Sequence, residues 1–205
     1  MLLTCKAVFL RIATLVAVCS YTAHGAAPIN WTANYPPCNR HEELLNREHM
    51  NLGVRLAKVN SVLAEEFSRA MDAWAAVLDF DWRPDESQNC AIQVIEGEKQ
   101  LFDSDAMAAR SQLPDRLNFQ GWIAFNPRMT LTGPEWYRIA VHEIGHILGL
   151  QHSDNADSVM YSLDLDGQEW LDATDLAALA HHHRLRISDL DHAIRIGVST
   201  RASAR

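Results

Sequence analysis

One short run constrains this 205-residue sequence more than any other: HEIGHILGLQH, residues 142–152. His142 and His146 are four residues apart, so on a helix both imidazoles project from one face and can bind one metal ion. His152 follows six residues later, too far along a continuing helix to reach the same ion. The helix must therefore end and the chain must turn back. Gly149 stands where a residue of left-handed conformation would allow this turn at little steric cost.

Three histidines that leave a fourth position open are typical of a catalytic zinc site, because structural zinc sites are closed by four protein ligands. Glu143 is turned about 100° from His142 around the helix, so its carboxylate reaches the open side of the metal. There it can accept a proton from water. The alternative is a set of histidines on an amphipathic helix with no metal role, but that interpretation does not account for Gly149 and His152 at these offsets.

The sequence of residues 142–152 resembles the signature of the metzincin zinc metalloproteases. The run that follows, Ser158-Val159-Met160-Tyr161, resembles the Met-turn of the same clan. Met160 comes eight residues after His152, which is the interval found in the matrixins, or matrix metalloproteases. Outside these motifs the similarity is weaker and extends over roughly residues 52–183.

Two residues next to the motifs favour the matrixins within the clan. Ser153 follows the third histidine, and Tyr161 directly follows the methionine of the Met-turn. Astacins instead place a zinc-binding tyrosine two residues after the methionine, where this chain has Ser162.

The resemblance implies a secreted zinc-dependent endopeptidase that hydrolyses peptide bonds with a zinc-activated water. His142, His146 and His152 would bind the one catalytic zinc ion, with Glu143 as general base. Met160 would form the apolar floor beneath the metal. The alternative is a zinc-binding module of the same fold that binds peptide, or acts on one dedicated partner, without general proteolysis.

The resemblance also implies an α+β (α/β) fold, with a mixed twisted sheet, an active-site helix and a small C-terminal subdomain after the Gly149 turn. Hydrophobic periodicity agrees with this architecture. Residues 101–113 read either as a short helix or as an irregular edge strand. The patterns predict strands over 52–59, 80–82, 90–95 and 121–126. They predict three helices: one over 61–78, one from the Thr132 cap to about 148, and one that starts near 172.

The first 25 residues have the pattern of a secretory signal. Lys6 and Arg11 precede the short apolar run 12–19, and small residues place cleavage before Ala26. An uncleaved anchor is the alternative, but the apolar run is much shorter than the ~20 residues of a span. The sequence thus divides into a signal peptide (1–25), a lead-in segment or short propeptide (26–48), a matrixin-like peptidase domain (49–185) and a basic tail (186–205).

A formal net charge of -8 argues against a general nucleic-acid partner, which would require a basic face. We expect a protein or peptide substrate, no membrane association after signal cleavage, and a monomer. The location would be extracellular or periplasmic.

Signal cleavage would leave two cysteines, Cys38 and Cys90. In an exported protein two cysteines most simply form one disulfide. The alternative is that Cys38 is a thiolate that caps the zinc in a latent form, as a propeptide cysteine does in some related proteases.

The family resemblance places a specificity pocket beside the zinc, with Tyr161, Ser162 and Leu163 in its wall. Arg138 lies one turn before His142 on the same helix face. In matrixins this position sets the depth of the pocket, so a shallow pocket for a medium-sized apolar residue is our hypothesis. The alternative is that Arg138 points to solvent.

Other polar clusters are weaker signals. Asp103, Asp105 and Asp115 could hold calcium, although scattered acids are more often a solvated loop. Because no histidine lies between His49 and His142, the second zinc of matrixins has no visible ligands. Consecutive histidines on a helix point in different directions, so residues 181–183 favour a surface cluster over a further metal site.

Overall fold

The computed structural model describes residues 49–87, 90–102, 108–115, 120–161, 170–187 and 193–197. In these residues a five-stranded mixed sheet and a two-stranded sheet combine with three α-helices and a short 3-10 helix, Lys99–Leu101. All of these residues belong to one compact unit, 31–205. The strands are β1 (Met50–Ala57), β2 (Phe80–Pro84), β3 (Ile92–Glu96), β4 (Ala109–Asp115), β5 (Gln120–Phe125), β6 (Trp170–Leu171) and β7 (Ile194–Arg195), and the helices are α1 (Ser61–Val77), α2 (Gly133–Ile147) and α3 (Ala173–His182).

The five-stranded sheet has the order β2-β1-β3-β5-β4. The pairs β1–β2, β1–β3 and β3–β5 are parallel, whereas β4 runs antiparallel to β5 at the edge. This arrangement confirms the predicted mixed sheet and α+β fold. For the ambiguous segment 101–113, the edge strand is the interpretation that holds from Ala109 onward.

Helix α1 forms where the apolar stripe predicted it. Asn60 provides the N-cap, because its side-chain oxygen accepts the Leu63 N–H at 2.9 Å. The stripe is buried against the sheet and α2, and the Trp74 indole donates to the carbonyl of Val141 in α2 at 3.1 Å. Its buried apolar residues are Leu63, Phe67, Ala70, Met71, Trp74 and Val77.

Helix α2 carries the two histidines that are four residues apart, and the predicted capping residues begin it. The Glu135 carboxylate accepts the Thr132 N–H at 2.6 Å, which satisfies a donor that the helix itself cannot pair. Pro134 occupies an early helical position where no N–H is needed. These local signals fix where the helix starts and therefore which face carries the histidines.

Part of the segment predicted as a basic tail packs on the domain. Strand β7 pairs with β6, and Ile196 beyond it is buried. The Tyr137 hydroxyl of α2 donates to the Ile196 carbonyl at 2.7 Å. Closer to α3, Arg186 donates to the Ala75 carbonyl at 2.9 Å. These contacts attach the two described parts of the segment to helices α2 and α1.

Several predictions concern residues outside the described part of the chain. The signal peptide and lead-in, residues 1–48 with Cys38, are among them, so the Cys38–Cys90 pair stays a prediction; Cys90 itself is buried. The same holds for Asp103 and Asp105 of the calcium hypothesis. None of the helices in the described ranges has the length and apolar character that a membrane span requires.

Candidate metal centre

His142 and His146 converge as the i,i+4 spacing predicts. Their Nε2 atoms are 3.1 Å apart and their rings are perpendicular, with centroids separated by 4.7 Å. When both imidazoles are neutral and both Nε2 atoms are unprotonated, their lone pairs repel each other at this distance. A shared cation between them removes that repulsion, so the pair has the geometry of metal ligands.

The other ring nitrogen of each histidine is bonded to a backbone carbonyl. Nδ1 of His142 donates to Val159 O at 2.7 Å, and Nδ1 of His146 donates to Leu150 O at 3.0 Å. A proton held on Nδ1 fixes the tautomer and leaves the Nε2 lone pair for a metal.

The turn after α2 has the geometry predicted at Gly149. Gly149 has φ +102°, a conformation that residues with a Cβ rarely adopt. Its N–H bonds to His146 O at 3.0 Å, and the N–H of Leu150 bonds to Gly145 O at 2.9 Å. This pair of bonds is a Schellman motif, which ends the helix and redirects the chain.

His152 joins the first two histidines after this turn. Its ring centroid is 4.7 Å from that of His146 and 5.4 Å from that of His142. The next residue, Ser153, is held by the bond from its N–H to Met160 O at 3.0 Å. His152 is exposed, so the cluster opens to solvent on its side.

The three histidines fit zinc. One nitrogen from each lies within 4.8 Å of the others, and no other such group of His, Cys, Asp or Glu occurs among the described residues. Ligands of a tetrahedral zinc with bonds of about 2.0–2.1 Å are roughly 3.3 Å apart, close to the Nε2 separation of the first pair. Burial lowers the pKa of His142 to about 4, with neighbouring His146 acting in the same direction. The imidazole is therefore neutral at pH 7, as a ligand must be.

Glu143 lies beside this cluster, buried with 7% of its surface exposed. Burial raises the pKa of its carboxyl to about 7, against hydrogen bonds from the Ser111 side chain and backbone, which lower it. Oε2 is buried and has no hydrogen-bond partner among the described residues. A carboxylate with one unengaged oxygen and a pKa near neutrality can both accept and release a proton at pH 7.

Met160 is fully buried beneath α2. Its Sδ lies 2.6 Å from the position that a Cβ on Gly145 would occupy. The turn is held by Ser158, whose hydroxyl accepts the Met160 N–H at 3.0 Å and donates to the buried Asp175 carboxylate at 2.8 Å. The methionine therefore packs against the helix turn between the two histidines.

The described part of the chain contains two of the four residues predicted to line the specificity pocket. Arg138 is partly buried on α2, and Tyr161 is partly buried, with its N–H bonded to Ser158 O at 3.0 Å. Ser162 and Leu163 lie outside the described residues, so the pocket and its depth stay predictions.

The structure corrects the interpretation of the histidines at the end of α3. His181 and His182 are exposed, as a surface cluster requires, but His183 is buried and its Nε2 donates to Leu148 O at 2.7 Å. The surface prediction was wrong for His183 because it considered only the helix itself. The end of α3 packs on the C-terminus of α2, and this contact is tertiary.

Sequence reasoning missed Ser111 and the pair Ser158–Asp175. A serine on an uncertain edge strand gives no local signal that it meets Glu143. Ser158 and Asp175 lie 17 residues apart, so only the fold brings them together.

A comparison with known proteins gives a family whose members bind zinc, in agreement with the geometry of the three histidines. The family model described as Matrixin matches residues 52–183, more than half of the chain. The chain belongs to the matrixin family. Matrixins are zinc metalloproteases, so membership supports zinc as the ion for His142, His146 and His152.

One curated relative of this matrixin is macrophage metalloelastase of Rattus norvegicus, which is 29% identical over 104 residues. The match covers 46% of this chain and 22% of the relative. The chain therefore spans less than a quarter of the length of that relative.

Proposed function

We propose that this matrixin is a secreted zinc-dependent endopeptidase, with His142, His146 and His152 as zinc ligands and Glu143 as general base. The observation that carries the proposal is the arrangement of Glu143. Its carboxylate is buried beside three convergent histidines, and its Oε2 has no partner among the described residues.

Zinc bound to the histidines would supply Lewis acidity, polarising the scissile carbonyl and lowering the pKa of water from 15.7 to about 7. Glu143 would accept the water proton at Oε2 and pass it to the leaving amine. Burial raises the pKa of the Glu143 carboxyl, and this suits a group that must first accept the proton as a base and then release it as an acid.

Strand β4 supports a peptide as the substrate. It is one of the two edge strands of the five-stranded sheet among the described residues, and it packs beside α2. An edge strand presents unpaired N–H and C=O groups, to which an extended peptide can add as a further strand. The peptide would then run past Glu143, which Ser111 of β4 contacts.

The proposal is tested with the secreted protein, loaded with one equivalent of zinc and assayed on casein and a mixed peptide library. Glu143→Gln should lower kcat by about 10³-fold and leave the zinc content unchanged. Glu65→Gln, at an exposed position on α1, is the matched control and should retain full activity. Bound zinc without turnover in the wild type would reject proteolysis and favour the peptide-binding module.

Secretion and the cysteine pair are tested separately. We expect N-terminal sequencing of the exported protein to begin at Ala26. A free-thiol assay should find neither Cys38 nor Cys90 reactive without reductant. A reactive Cys38 would instead support the latent form.

A further inference from the structure

Glu143 is held by a residue from another element, Ser111 of β4. Both the hydroxyl and the backbone N–H of Ser111 donate to the Glu143 carboxylate. Oε2 has no partner among the described residues, so both of these bonds end on Oε1. The two carboxylate oxygens therefore differ. Oε1 accepts two hydrogen bonds from the strand, and Oε2 can accept a hydrogen bond from another group.

The position of Ser111 in the sheet makes this contact available. Ser111 is in register with Ile123 of β5, and β4 has no strand on its other side among the described residues. Successive N–H groups of an antiparallel strand point alternately toward and away from the neighbour. The Ser111 N–H points away from β5 and toward α2, where Glu143 lies.

We propose that Ser111 is a positioning residue for Glu143, holding Oε1 so that Oε2 faces the reacting water. The proposal rests on the function proposed above for Glu143. A glutamate side chain has three rotatable bonds, and two donors from a paired strand remove most of that freedom before substrate binds. The burial of Glu143 makes these bonds stronger than they would be in water.

The test compares Ser111→Ala and Ser111→Thr in the zinc-loaded full chain. The alanine variant keeps the backbone donor, so kcat should fall by about three- to tenfold with KM within about twofold. Threonine restores the hydroxyl and should return kcat to within about twofold of the wild type. Ser68→Ala is the matched control, because the Ser68 hydroxyl donates within its own helix, to Ala64 O at 2.8 Å.

A second readout does not depend on turnover. Acetohydroxamate binds zinc and offers O–H and N–H donors to a neighbouring carboxylate. By calorimetry, Ser111→Ala should weaken its binding by about three- to tenfold, and this loss should vanish in a Glu143→Ala background. Unchanged acetohydroxamate affinity in Ser111→Ala would overturn the proposal. So would loss of zinc or of stability that threonine does not restore, because Ser111 would then be structural.

The two readouts separate this inference from the proposed function. An inactive wild type whose acetohydroxamate binding still depends on Ser111 and Glu143 together would reject the endopeptidase and keep the positioning role. An active wild type in which Ser111→Ala changes neither kcat nor acetohydroxamate affinity would keep the endopeptidase and reject the positioning role.

Discussion

The sulfur of Met160 lies against Gly145, 2.6 Å from where a Cβ on that glycine would be. Met160 is fully buried, and Trp74 Cζ2 lies only 3.3 Å from the same point. Gly145 is thus required by packing in the last turn of α2, although glycine within a helix costs roughly 1 kcal/mol relative to alanine.

Gly145→Ala should therefore destabilise the protein, despite the higher helix propensity of alanine. A contact of 2.6 Å requires a shift in Met160, and overpacking of this kind costs about 1–3 kcal/mol. Urea denaturation of the zinc-free protein measures the change in the free energy of unfolding. In a Met160→Ala background the same substitution should cost less, because the clashing sulfur is gone. Equal costs in both backgrounds would contradict the packing argument.

Gly149→Ala should be destabilising for a different reason. The nearest atom to an added Cβ is His182 Cδ2 at 3.6 Å, an ordinary contact, so the cost comes from φ +102°. A left-handed conformation costs a residue with a Cβ about 1–2 kcal/mol. Because this turn delivers His152, zinc affinity measured by chelator competition should fall by about tenfold as well.

Asparagine is the control at this position, since it tolerates left-handed backbone better than alanine. Gly149→Asn should recover part of both losses. If alanine and asparagine were equally harmful, strain at φ would not explain the effect.

Much of the site could be predicted from local patterns. The capping pair Thr132 and Glu135, the i,i+4 histidines and the position of Gly149 are each encoded within a few residues. Their outcomes, a helix start, a shared face and a left-handed turn, follow from backbone geometry alone. The convergence of the three histidines was predictable because these short-range rules apply in succession along one segment.

The features of the fold and the site that could not be predicted depend on contacts between segments that are distant in the sequence. Nothing near Ser111 indicates that its strand lies at the edge beside α2, because strand order is decided by the whole sheet. His183 is read from its neighbours as exposed, but it packs against the Leu148 carbonyl, 35 residues away. In both cases tertiary packing determines the partner of the side chain, and local sequence periodicity gives no information about that packing.

His183 should make the stability depend on pH. Burial lowers its pKa to about 4 from 6.5, although the bond to Leu148 O opposes this shift. The unfolded state binds the proton more readily, so stability is present above pH 6.5 and is lost as the pH falls toward 4. The loss for this one group is at most about 3 kcal/mol.

The measurement is the free energy of unfolding of the zinc-free protein at pH 7 and at pH 4.5. His183→Gln keeps an N–H donor without the titration, and it should show a smaller decrease than the wild type. Subtracting the two pH profiles cancels other groups, including the buried His142. Parallel profiles for the two proteins would exclude His183 as the source.

Removal of zinc should lower the thermal unfolding midpoint, because an ion that binds only the folded state stabilises it by mass action. At a free zinc concentration 1,000 times the Kd the gain is about 4 kcal/mol, which corresponds to a shift of roughly 10 °C for a chain of this size. His152→Ala should abolish most of this shift, since two histidines hold zinc far less tightly than three. His181→Ala is the matched control, an exposed histidine outside the cluster, and should respond to chelation as the wild type does. A midpoint that depends on His181 but not on His152 would refute the assignment of the third ligand.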